Sequence, residues 1–106
     1  MLPYELTSAA EADLEAIAEY TLRQWGAEQQ ARYAALLEAG FAYIADDSAI
    51  PRRFSEAYPQ VLVTRCGHHY VFYLKPEGTN VPRIIAVLHE RMDLVARLHD
   101  RLEGFA

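Results

Sequence analysis

Residues 60–75 read QVLVTRCGHHYVFYLK, two runs of β-branched and aromatic residues that meet at Gly67 and His68. Such runs favour strands, and a glycine in a two-residue connection supplies the positive φ that a tight hairpin turn needs. The spacing predicts strands over Gln60–Cys66 and His69–Lys75, with Arg65 opposite Tyr70, Val63 opposite Phe72 and Val61 opposite Leu74. Those six share the face expected to be core. Leu62, Thr64, Cys66, His69, Val71, Tyr73 and Lys75 form the other face, more polar and expected to be half-exposed. Beyond a loop from Pro76 to Pro82, residues 83–89 (RIIAVLH) read as a third strand, apolar on both faces and therefore central in its sheet. Asp93 then caps a helix displaying Val95, Leu98 and Leu102, ended by Gly104.

Upstream of the hairpin the composition changes. Fourteen of the seventeen alanines precede Tyr58 and all six valines follow it, so helices are expected first and strands second. Leu2 to Thr7 alternates as a short strand, and Ser8 with Glu11 has capping-box spacing, which starts a helix near Ala9. Leu14, Ile17, Ala18, Leu22 and Trp25 make its apolar stripe, and Gly26 stops it. A second stripe, Ala34, Leu37, Phe41 and Ile44, runs to Asp46, so the two helices, joined by a turn of two to four residues, are expected to form an antiparallel hairpin. Residues 50–59 read as a loop. The expected class is α+β: an N-terminal strand, a helical hairpin, a three-stranded antiparallel meander and a C-terminal helix.

The 106 residues suffice for one domain, 1–106, and not for two. With 52% hydrophobic and 24% charged residues the chain has the composition of a folded domain, and no run is apolar enough to span a membrane. The N-terminus lacks signal-peptide character and Cys66 has no partner cysteine, so a reducing, cytoplasmic location is expected. Net charge is −5, which argues against wrapping nucleic acid with the whole surface. Residues 1–50 hold nine acids and two bases, whereas residues 51–106 hold eight bases, six acids and all four histidines. That asymmetry fits a partner-facing basic side, or simply an acidic helix face beside a neutral sheet.

No nucleophile signature, phosphate-binding glycine loop, zinc spacing or carboxylate pair is present. His68 and His69 are adjacent, so their side chains diverge in a strand, and His99 is on the last helix. The histidines therefore imply no metal, and no cofactor is expected. Arg65, His69, Tyr70, Arg83, His89 and Arg91 fall at predicted strand ends, where distant positions converge. Each arginine can face a target there, or pair with Glu90, Asp93 or a helix C-terminus.

Tyr4 and Leu6, then Ala12-Asp13-Leu14 with Ile17 and Tyr20, Trp25-Gly26, Ala31 and Tyr33, then residues 65–73 and 85–93, together resemble the ParE toxins of the RelE/ParE superfamily, over residues 4 to about 98. The resemblance implies a toxin held inactive by a ParD-like antitoxin in a hetero-oligomer that touches operator DNA only through the antitoxin. ParE members target DNA gyrase, and RelE members cleave mRNA on ribosomes. Arg65 and Arg83 match two basic positions of RelE-like nucleases, and His89 can serve as acid or base. The late nuclease tyrosine has no counterpart, since all seven tyrosines lie at or before Tyr73 and the one lysine is Lys75. The expected activity is therefore gyrase inhibition by binding, without catalytic residues. The alternatives are a ribosome-dependent mRNA endonuclease or an inactive toxin-like binding domain. Arg65, Arg83, His89 and Arg91 are the target-binding candidates. Tyr20, Trp25, Tyr33 and Tyr43 are the antitoxin-binding candidates, expected to be incompletely buried, although Trp25 can equally complete the core.

Overall fold

The computed structural model describes residues 2–104. Its elements run β1 (Glu5–Leu6), α1 (Ser8–Trp25), α2 (Ala27–Ala45), β2 (Arg52–Ser55), β3 (Tyr58–Cys66), β4 (His69–Leu74), β5 (Arg83–His89) and α3 (Leu94–Glu103). The α+β class and the order of the expected elements hold. The sheet has five strands in the order β1-β5-β4-β3-β2: the expected N-terminal strand and meander of three, and β2, which the sequence did not suggest.

Local chemistry sets the helix boundaries. Thr7, one residue earlier than expected, is the N-cap of α1: its hydroxyl accepts from the Ala10 N–H at 3.1 Å, and Glu11 stays in the first turn, where its charge complements the helix dipole. Gly26 alone joins α1 to α2, in place of the longer turn expected. Its N–H donates to Leu22 O and its carbonyl accepts from Gln30 N–H, each at 3.0 Å. Closing one helix and opening the next in a single residue requires φ +91°, a region open to glycine without steric cost.

The hairpin register is the expected one, with Arg65 opposite Tyr70 and Val63 opposite Phe72. β5 lies between β4 and β1, and β1 pairs with it in parallel, Glu5 with Arg83 and Leu6 with Ile84. The β4–β5 register shifts between Phe72–Ala86 and Tyr73–Ile84. Ile85 is the extra residue, so Ile85 and Ala86 both join the α3-side core. β2 replaces part of the expected loop and pairs Arg52 with Val63 and Arg53 with Leu62.

Both sheet faces are covered, which corrects the expectation of one half-exposed face. The helical hairpin packs Ala10, Leu37, Phe41 and Ile44 onto Cys66, Val71, Tyr73, Ile84 and Val87. On the other face α3 sets Leu98 against a cluster of Val61, Phe72, Ile85 and Leu88. Val71 and Tyr73 are therefore as buried as Phe72. Of the polar residues that disguised this face, His69 and Lys75 lie at its ends, and Thr64 stands opposite Val71. Behind β5, the Asp13 carboxylate takes both guanidinium NH2 groups of Arg101 at 2.9 Å and the Val87 N–H at 2.9 Å, while Arg101 also donates to Ile85 O at 2.8 Å. A bidentate pair with its remaining valences filled by strand backbone fixes α1, β5 and α3 to one another.

Candidate functional site

The cross-strand row Cys66–His69–His89 brings the β3–β4 turn and the end of β5 to one end of the sheet. His69 is buried there. Its Nδ1 lies 2.5 Å from the Tyr33 hydroxyl of α2, which also accepts the His68 N–H at 3.1 Å. Burial, reinforced by His89 and His68, pushes His69 down from 6.5 to about 4. The imidazole is thus neutral at pH 7, and its Nδ1 shares one hydrogen bond with the phenol. The His89 ring meets His69 edge-on at 5.0 Å and lies near-parallel to His68 at 6.4 Å, and its Nδ1 accepts from Arg91 N–H at 3.1 Å.

Around this stack the charges are sorted. Glu90 pairs with the Arg65 guanidinium and, at 3.2 Å, with His68 Nδ1. The hydrogen bond from His68, followed by the Arg65 charge, holds the Glu90 carboxyl below its ordinary range. Arg65 also donates from Nε to Gly67 O at 3.2 Å and sits 5.7 Å above the Tyr70 ring. Arg91 is exposed, and among the described residues its side chain has no ion-pair partner.

Arg65, His89 and Arg91 therefore converge. Arg83 does not join them. It stands at the other end of the seven-residue β5, about 20 Å from His89 at the usual rise per residue, with its Nε 3.1 Å from Glu5. Lys75 pairs with Asp47. Among the described residues no group of three His, Cys, Asp or Glu side chains is placed to hold a metal ion. Sequence reading missed Tyr33 as a partner of His68 and His69, and missed Asp13 with Arg101. An acid on the otherwise apolar side of α1, close to Leu14, was the one available signal for Asp13.

The helical hairpin carries a second feature. A groove of about 270 Å³ runs between α1 and α2, walled by Leu14, Ile17, Leu37 and Phe41, opened by the small Ala18 and Ala34, and bordered by Tyr33. Tyr20, Trp25 and Tyr43 are 57%, 71% and 62% exposed. Trp25 thus stands outside the core. Tyr20 and Trp25 lie near the Gly26 tip and Tyr43 near the opposite end of α2, while Tyr33 turns its hydroxyl inward to the histidines.

The family described as "ParE toxin of type II toxin-antitoxin system, parDE" has a model that matches residues 4–94. The chain belongs to this family. Over 104 residues it is 49% identical to "Toxin ParE" of Escherichia coli, covering 98% of this chain and all of that protein. It is 37% identical to "Toxin ParE1" of Caulobacter vibrioides, covering 92% and 99%, and 33% identical to "Toxin ParE1" of Mycobacterium tuberculosis (strain CDC 1551 / Oshkosh), covering 86% and 92%. The family-model match takes in the groove and the histidine–arginine end and stops at the first residue of α3, whereas the alignment with the Escherichia coli protein also takes in Arg101.

Proposed function

We propose that this ParE family member is neutralised by a ParD-like antitoxin and arrests growth by binding DNA gyrase in the cytoplasm, without catalysing a reaction. The observation that carries the reading is the separation of Arg83 from His89 along β5. Attack of a 2′-hydroxyl on its own phosphate needs a proton acceptor, a proton donor and cations around one phosphorus. Arg83 and His89 cannot both reach one phosphate, and the Arg65 guanidinium is already held by Glu90. The same end suits recognition: the exposed Arg91, the Arg65 guanidinium over Tyr70, and a stack of rings fixed in place. The antitoxin reading rests on the apolar groove and on the exposed Tyr20, Trp25 and Tyr43, which a ParD segment covers. Operator DNA is then reached only through ParD.

The test is His89→Gln, assayed for growth arrest on induction, for inhibition of gyrase supercoiling and for ribosome-dependent mRNA cleavage. Binding predicts inhibition within a few-fold of the parent. A general acid–base role predicts a loss of about 10²-fold or more. Cleavage by the parent with supercoiling untouched overturns the gyrase reading in favour of a nuclease. A parent inert in all three assays is a binding domain only.

A further inference from the structure

Tyr33 belongs to both surfaces at once. Its ring borders the α1–α2 groove, and its hydroxyl holds the His68 N–H and His69 Nδ1. The fit around that hydroxyl is close. Gly67 has φ +61°, and a Cβ there would stand 2.9 Å from the Tyr33 oxygen and 2.9 Å from a Leu36 methyl. The turn is thus shaped to a phenol contributed by α2. From His69 the chain of contacts continues to the His89 ring, whose Nδ1 receives the Arg91 N–H, and from His68 to Glu90, which holds Arg65.

We infer that Tyr33 is the positioning residue for the histidine–arginine end and couples it to the groove, so that a ParD segment seated in the groove alters the placement of Arg65, His89 and Arg91. The inference rests on the function proposed above and adds how one surface governs the other. Packed rings and hydrogen bonds can carry coupling of this kind, and here both branches start at the Tyr33 hydroxyl. The direction of the effect follows from the contacts. An occupant that shifts the phenol removes the acceptor from His68 N–H and the hydrogen-bond partner from His69 Nδ1, and the turn beside Arg65 loosens.

Tyr33→Phe tests this, because the ring still borders the groove and only the hydroxyl is lost. The variant is expected to need about tenfold more protein for growth arrest, the equivalent of one hydrogen bond to a buried group. By NMR the His68 amide should exchange about tenfold faster in the variant, as expected for a lost hydrogen bond. Adding ParD should move the parent's His69 imidazole nitrogens and leave the variant's unmoved. Equal His68 exchange and equal toxicity in the two proteins, at equal stability in denaturant melts, overturn the positioning role. His69 signals in the parent that ignore ParD overturn the coupling. Ala34→Glu, on the groove wall, keeps the two ideas apart: undiminished ParD affinity in that variant refutes the groove as docking place, while the exchange and toxicity of Tyr33→Phe still judge the positioning role.

Discussion

A histidine only 8% exposed must give up either its charge or its burial, and His69 gives up its charge. With its folded value near 4 against an ordinary 6.5, the native chain holds fewer protons than the unfolded one across that interval. The stabilisation is complete above pH 6.5 and is lost as pH falls towards 4. The slope is at most about 1.4 kcal/mol per pH unit, one proton's worth. His69→Asn keeps an amide near the Nδ1 position for Tyr33 and does not titrate. Urea midpoints measured from pH 7.5 to 4.5 should fall less steeply for the variant than for the parent, and parallel curves would place the titration elsewhere. The sequence placed His69 on a half-exposed face because Thr64 and Lys75 share its alternation. Nothing near position 69 announces a phenol 36 residues away, and a polar side chain looks exposed until its partner is known. Asp13 is the same case, with its partner at Arg101.

Among the elements, the register of the β3–β4 hairpin was legible to the residue, because period-two alternation and the Gly67–His68 turn both act within a few positions, although β3 begins two residues before the expected start and β4 ends one before the expected end. β2 was not. It has four residues following a proline, with two arginines in front, and it becomes a strand because β3 offers an open edge. Those arginines suit an edge, where charge discourages pairing with another chain. Phe72 shows what the hairpin supports. It is fully buried, opposite Val63, and meets Phe54 of β2 edge-to-face at 5.0 Å. Phe72→Ala should lower stability in denaturant melts by about 3–5 kcal/mol, and a change under about 1 kcal/mol would show that the site collapses around the void.

For the whole molecule, the acidic first half became the helical layer and the basic second half the sheet with α3, so the charge asymmetry read from the sequence is a difference between layers. Of the four tyrosine and tryptophan candidates expected to be incompletely buried, Tyr20, Trp25 and Tyr43 are exposed and Tyr33 is half-buried. Amphipathic spacing marks which helix face is apolar and does not say how far a sheet covers it. Trp25, the chain's one tryptophan, reports on this directly. Its emission should be that of a water-exposed indole in the free chain and move to shorter wavelength when ParD binds. An unchanged spectrum in the saturated complex would put the antitoxin away from the hairpin tip.

The pairs that close the molecule join its beginning to its end: Glu5 to Arg83 across 78 positions and Asp13 to Arg101 across 88. A ribosome makes the helical hairpin first and the surface that buries it last. Contacts of such span are slow to close, and none of them is available until the final strand and helix have been translated. A chain cut short before α3 would therefore leave Asp13 and the Val61–Phe72–Leu88 face uncovered. A product lacking α3 is expected to be an open fold, not a smaller toxin.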